Sequence, residues 1–526
     1  MDNQLNGLPI QQACESAPKI QEQQVTEEQK EGAARFKVLS VSCFIYALFY
    51  TFCLYQNKSG ITYPFLIGGT LCFLFYYFKR FGATAAKDRK FLVGAMLLLG
   101  ILNCTTDSWV LIFFNRKMIL LLLGVLILES FHDSISWKLG SWGKALLHLL
   151  FGSISQIFKP FEDGYWSHKL QEKKREVTPE SKGRKQKILY ALLGVGLSIP
   201  VLFFIVLLLG SADELFWKMI SNVWDVVLSW NLPEFLTNGD IPKSLWMTLC
   251  SFMGIYGLLT YSGKRKYIEN AVKITTVEWE AVVAIAFLSL FAFVYCLFCG
   301  IQIFGLFLGW MTLPEGTTYA SYAREGFFQL LLVCLFNIGM VLFFLGFFRK
   351  NKWLQALLTL ISVCTYIMVA SSAYRMLLYI HSYQLTFMRV LVLWALIMIV
   401  FVLGGVIRYI WKQEFGLFRY LLMTVVIGYI AFAAVHPDYW IAKYNVNQFV
   451  QGEETDLWYL TLNLSTDAAP AVYELLEEEL PQKQKTEVIG IMADYRGRIK
   501  EQAEEMHIRN WNVSRAYAEW VCKKNL

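Results

Sequence analysis

The chain has 526 residues, 56% of them hydrophobic and 17% charged, with a formal net charge of +7. A soluble chain carries about 25% charged residues. Here the apolar residues collect in blocks of about 18–29, each nearly free of charge and long enough to cross a bilayer core, which excludes a soluble globular class. The positive charge follows the loops between the blocks, which excludes nucleic acid as a partner, and nine of the eleven cysteines lie inside blocks, which excludes a disulfide framework.

Taken in chain order, residues 1–36 are polar, rich in Gln and Glu, and read as a disordered tail with no signal peptide. Every backbone N–H and C=O inside lipid must be paired within its own segment, so the blocks are helices. Spans are expected near 38–55, 61–78, 91–104, 117–131, 188–210, 245–262, 281–309, 327–348, 353–373, 389–407 and 418–435. Residues 105–115 read as a short interfacial turn or as part of one irregular span over 91–131. The fold class is therefore all-α: a polytopic transmembrane helical bundle of about eleven spans with a small, mostly helical soluble C-terminal domain. The boundaries are a group of about four spans at 37–133, a basic cytoplasmic linker at 134–187, a main group of about seven spans at 188–435 and the soluble domain at 436–526.

Two connectors are amphipathic. In 142–158, Leu146, Leu150, Ile154 and Phe158 face one way, with Pro160 expected to end the helix. In 211–230, Phe216, Ile220, Val223, Val227 and Trp230 make the apolar side. In the C-terminal domain, Asp467 to Pro470 start a helix with Val472, Leu475 and Leu476 on its apolar side. Pro481 closes it, and helices over 485–500 and 512–523 follow.

One set of loops holds Lys79, Arg80, Lys87, Arg89, Lys90, the run Lys138–Lys187, then Lys264, Arg265, Lys266, Lys273, Arg349, Lys350 and Lys352. That is about three times the Lys and Arg of the opposite set, which puts the first set in the cytoplasm. The N-terminus is then cytoplasmic, and an odd number of spans places the C-terminal domain outside. Its ten Lys/Arg against fifteen Asp/Glu agree with that side.

Ionisable groups are nearly absent from mid-span, which argues against a proton-coupled pump or a voltage sensor. Cys296 and Cys299 share a helix face, yet no His or carboxylate is near enough to complete a metal or redox site. The sequence has no HExxH, Walker loop, GxGxxG after a strand or GxSxG, so no catalytic residue, cofactor or metal is assigned. Gln329 and Asn337, eight apart, are expected to share a face that Thr365 joins. This is either interhelical hydrogen bonding or the lining of a polar pocket.

Two stretches carry a resemblance. Tyr322-Ala323-Arg324-Glu325-Gly326-Phe327-Phe328-Gln329 opens the eighth span, and Ser371 through Tyr383, continuing as Gln384-Leu385-Thr386 and Arg389, joins the ninth and tenth. With Asp438-Tyr439, Tyr444-Asn445, Asp456-Leu457, Ser465, Asp467 to Pro470, Trp511-Asn512 and Ser514-Arg515, they resemble the bacterial membrane-protein family described as domain of unknown function 4173, close to 4153. The chain has Gln384 where that family usually has Gly. The resemblance implies an architecture and a bacterial cytoplasmic membrane, without an activity. It draws attention to an outer rim of Arg324, Glu325, Arg375, His381, Tyr383 and Arg389, which want anionic partners such as Glu325, tail carboxylates or lipid phosphates.

The expected function is accordingly a structural, regulatory or sensing membrane protein whose C-terminal domain docks at that rim. Its partners are the lipid bilayer and an anionic lipid or a protein. The alternative is a transporter or lipid-handling protein with a cavity among the last seven spans.

Overall fold

The computed structural model describes residues 25–57, 59–83, 86–134, 137–174, 240–263, 279–307, 319–453 and 455–525, with Ser198 and Leu202. Of 172–174, 305–307, 319–326 and 483 the backbone alone is described. The expected span at 188–210, the amphipathic segment at 211–230 and the basic loop at 264–278 lie outside these residues.

The described elements are helices: α1 Glu27–Leu54, α2 Thr62–Arg80, α3 Arg89–Thr105, α4 Trp109–Phe131, α5 Leu139–Ser155, α6 Lys159–Lys174, α7 Asp240–Ser262 and α8 Ala281–Ile301. There follow α9 Tyr319–Phe347, α10 Lys352–Tyr383, α11 Phe387–Trp411, α12 Leu417–Ala434, α13 Pro437–Val450, α14 Ala469–Tyr473, α15 Gln482–Glu504 and α16 Val513–Lys524. Seven of them, α1, α4 and α8 to α12, are long and apolar enough to cross a membrane. Helices α2, α3 and α7 occupy positions expected for spans but fall short of that length or hydropathy. Helix α4 starts at Trp109, so residues 109–115 are its first turns, and the break after α3 is confined to Thr106–Ser108.

The chain forms two compact units, one of residues 1–43 with 158–237 and one of 44–157 with 238–526. In the first, α1 begins at Glu27, well before the expected 38. Glu27 and Glu28 suit the positive end of the helix dipole. Arg35 donates from Nε and Nη2 to Asp163 of α6, both at 3.1 Å, and Asp163 is buried. Gly32 permits this approach, since a Cβ there would sit 2.3 Å from Asp163 Oδ1. Pro160 falls in the first turn of α6, where its missing N–H costs nothing, so it opens a helix rather than ending one.

The second unit is centred on α10, which packs on α8, α9 and α11. Leu354, Leu358 and Ile361 meet Met340, Val341, Phe344, Val406 and Ile410 toward one end. Met368 and Met376 meet Cys334, Leu396 and Leu403 toward the other. The outer faces are apolar too: Val282, Leu290, Phe293 and Leu332 are each about 70% exposed, as lipid contact requires.

Short turns set alternate helix ends on opposite sides. At the end carrying the α2–α3, α9–α10 and α11–α12 turns, Arg419 pairs with Asp88, Gln355 donates to Ile410 O at 2.6 Å, and Arg349 meets Glu280 at 2.7 Å. Helix α5 lies across this end: Trp142 stacks on Phe418 at the start of α12, while Gly152 meets Tyr261 in the last turn of α7. Its buried side is Trp142, Ala145 and Leu149. The predicted apolar face, with Leu150 and Ile154, points away and is exposed, as an interfacial helix needs.

The turn from α10 to α11 holds a strained residue. Gln384 has φ 79° and ψ 170°, a region that glycine alone enters freely. Its side chain accepts a weak bond from Asp456 N–H at 3.3 Å. Replacing Gln384 with glycine is expected to stabilise the protein by about 1 kcal/mol, after the lost bond and glycine's added chain entropy are set against the strain. A melting curve of the purified protein should shift up by a few degrees, and a downward shift would contradict the strain.

Candidate functional site

The C-terminal segment starts with a sharp reversal. After α12, His436 takes a left-handed conformation (φ 52°, ψ 72°), and Pro437 then begins α13. The turn places Asp438 in the first turn of α13, buried. Its Oδ2 accepts from the Ser465 N–H at 3.1 Å and hydroxyl at 2.6 Å.

Asp467, at the start of the next helical turns, accepts from the Thr106 hydroxyl at 2.6 Å and from the Asp107 N–H at 3.1 Å. It also pairs with His436 Nδ1 at 3.1 Å. Asp107 in turn takes a two-pronged bond from Arg515 of α16, both contacts at 2.7 Å. The Thr466 and Ser514 hydroxyls are bonded at 2.8 Å. Asn512 is fully used: Oδ1 caps α16, while Nδ2 donates to Ser59 O at 3.0 Å and Thr106 O at 2.9 Å. The Ile61 N–H donates to Trp511 O at 2.8 Å, and Asn57 Nδ2 to Arg509 O at 2.9 Å.

A third turn is held as well. The Asn445 amide of α13 accepts from the Leu385 N–H at 3.0 Å and donates to Leu385 O at 2.8 Å, and the Tyr459 hydroxyl accepts from the Phe387 N–H at 2.9 Å. Backbone groups of α1–α2, α3–α4 and α10–α11 turns are thus satisfied by one C-terminal segment. A buried N–H or C=O left unpaired would be costly, so the turns and the segment specify each other.

Burial raises two acids of this seam, and a carboxylate raises its histidine. Asp438 is raised from 3.8 to about 6 by burial, despite its bonds to Ser465. Asp107 is raised by burial against the pull of Arg515. His436 is raised from 6.5 by its bond to Asp467. In each case the folded chain keeps a proton that the unfolded chain has already released. Stability is therefore greatest on the acid side and is lost as pH rises, through about 4–6 for Asp438 and above 6.5 for His436. Protease resistance of the segment is expected to be higher at about pH 5 than at about pH 8, with Asp438 contributing about 1–2 kcal/mol over that interval. The Asp438→Asn variant should flatten the dependence, and an unchanged slope would contradict this.

The residues singled out from sequence are distributed differently. Arg375 is buried and donates to Gln302 Oε1 at 3.3 Å, which also accepts from Ser371 at 2.6 Å. Arg389 bonds the carbonyls of Tyr383 and Gln384 and lies 4.2 Å over the Tyr379 ring. His381 and Tyr383 are exposed. The side chains of Arg324 and Glu325 lie outside the described residues.

Asn337 is buried, accepts from Tyr295 at 2.7 Å and donates to Thr365 at 3.0 Å. Gln329 is exposed, so the two do not share a face: eight residues turn about 80° past two full turns. Cys299 is buried with its thiol 3.5 Å from Cys364 O, Cys296 is exposed, and no cluster of three metal-binding side chains occurs among the described residues.

Sequence reasoning missed Ser59, Gly60, Thr106, Asp107 and His436. One signal was available: Asp107 is a lone acid between two apolar runs.

The family model described as domain of unknown function (DUF4153) matches residues 93–475, from α3 to the helical turns after Asp467. The match starts earlier and ends earlier than the stretch that resembled 4173. No curated protein and no solved structure matches the chain.

Proposed function

We propose that this chain, which belongs to the family described as domain of unknown function 4153, is a bacterial cytoplasmic-membrane protein of about eleven spans whose C-terminal domain docks on the outer helix ends and senses or holds a partner there. That it is a multi-pass membrane protein follows from its seven apolar helices. The observation that carries the rest is the seam. Residues 436–438, 465–467 and 509–515 close over turns on one side, while the basic turns with Lys79, Arg80, Arg349 and Lys350 lie on the other. An excess of Lys and Arg marks the cytoplasmic side, so it supports an outward C-terminal domain and an inward N-terminus. The division into spans at 37–133 and 188–435 around a linker at 134–187 belongs to the same reading.

A cavity-forming carrier is the weaker alternative. The Asn337 amide spends its donor and acceptor on Thr365 and Tyr295, which suits a bond between helices better than a lined path. The rim of Arg375, His381, Tyr383 and Arg389, with Arg324 and Glu325, remains a place for an anionic lipid headgroup or a protein partner.

Sidedness is the test. Cys522 is buried, so a thiol is better introduced at Ile508, which is 90% exposed. An Ile508→Cys variant is expected to react with a membrane-impermeant maleimide in intact cells. Labelling confined to permeabilised cells would place the domain inside and overturn the reading.

A further inference from the structure

A cleft of about 670 Å³ opens in the C-terminal domain beside the seam. One wall is the outer face of α16, where the Tyr517 and Trp520 rings lie nearly parallel, 11° apart with centroids at 5.7 Å, both about half exposed. Tyr439 of α13 and the carboxylates Glu474 and Glu477 complete the walls, and the His436–Asp467 pair contributes at the base. Thr105 and Val435 also line the cleft. They mark where α3 and α12 end, which sets its mouth at the membrane surface in the proposed topology.

The chemistry of the lining selects among ligands. Of the three lining carboxylates, Asp467 pairs with His436 and Glu474 with Lys443, so Glu477 is the acid that faces Lys524 across the cleft. Aromatic faces attract a cation through the ring quadrupole. The cleft already shows this preference, since Lys524 Nζ sits 5.9 Å over the Trp520 ring. Lys443 approaches Glu474 from α13.

We propose that this cleft binds an organic ammonium group, seated against Trp520 and Tyr517 in place of the Lys524 side chain and balanced by Glu477 and Glu474. The group is either the headgroup of an aminophospholipid or a free amine at the outer surface. The inference deepens the proposed function by giving the sensed ligand a chemical class, and it rests on the docked domain.

The test uses the full-length protein in maltoside micelles, with lipid retention read by native mass spectrometry. Phosphatidylethanolamine is compared with phosphatidylglycerol of the same acyl chains. Phosphatidylethanolamine is expected to be retained in preference, and Trp520→Ala or Glu477→Gln to weaken retention about tenfold. Both side chains are on the surface, so tryptic resistance of the domain should not change. That separates loss of the ligand from failure of the seam.

Free ethanolamine then distinguishes the sources. Displacement of the lipid by ethanolamine supports a soluble amine, and retention of the lipid against it supports the headgroup. Equal retention of the two phospholipids with no effect of ethanolamine would overturn the proposal. So would undiminished retention by the Trp520→Ala protein.

Discussion

Replacing Asp467 with alanine is expected to free the C-terminal domain from the helix ends. The carboxylate is buried and answers three donors: the Thr106 hydroxyl, the Asp107 N–H and His436 Nδ1. Its removal leaves all three without their acceptor, and brings Asp107 and Arg515 into a seam that no longer closes. Breaking one member out of such a buried charged network costs about 3–5 kcal/mol. The expected readout is rapid tryptic cleavage at Lys500 and Arg509 in the purified protein, under conditions where the parent resists. The Asp467→Asn variant keeps an acceptor oxygen and should fall between. A parent-like digestion rate for Asp467→Ala would show that the seam does not hold the domain.

Gly60→Ala is expected to act from the opposite side of the same contact. A Cβ at Gly60 would lie 2.2 Å from Arg509 O and 2.5 Å from Asn510 Cα. Both are backbone atoms and cannot swing aside as a flexible side chain would. The α1–α2 turn and residues 509–511 must therefore separate, which strains or breaks the Ile61 to Trp511 and Asn57 to Arg509 bonds. Overpacking and the lost bonds together predict a destabilisation of about 2–4 kcal/mol. Gly68→Ala in α2 is the control, because nothing lies within 4 Å of a Cβ there. It should be neutral or slightly stabilising. Equal melting temperatures for the two variants would contradict the close approach.

Much of the helix layout is legible in the sequence, because lipid leaves an apolar segment no alternative to the helix. The starts of α8, α10, α11 and α12 fall within a few residues of their expected positions. In the C-terminal segment α15 and α16 coincide closely with the stretches read from 485–500 and 512–523. The misplacements have specific causes. Pro160 reads as a stop from sequence, yet proline suits the first turn of a helix equally well. The early start of α1 depends on Arg35 meeting Asp163, a partner 128 residues away that no local pattern contains.

The seam was harder to read than the helices. Periodicity reports which face of a helix is apolar, but it does not report which turn a distant segment will cap. Asp438 and Arg515 carry no signal outside the resemblance, and Asp467 and Asn512 read only as helix starts. Two of their partners, Ser59 and Thr106, are ordinary polar residues of short turns with no signature of their own. The arginines draw attention for their charge; among the described contacts Arg375 donates to the Gln302 amide, and Arg389 to main-chain carbonyls. The departure at Gln384 was visible in the sequence, and its meaning emerges from a backbone angle.

One C-terminal segment satisfies the turns at a single end of the helices. Amide hydrogen exchange of the full-length protein in lipid nanodiscs tests it most directly, at Ile61, Asp107, Leu385 and Phe387, whose N–H groups all donate to that domain. Slow exchange at all four is predicted, with fast exchange at Gln413 and Glu414 in the α11–α12 turn, within residues 413–416, and joint loss of protection in Asp467→Ala. Exchange at the four amides as fast as at Gln413 and Glu414 in the unaltered protein would contradict the account.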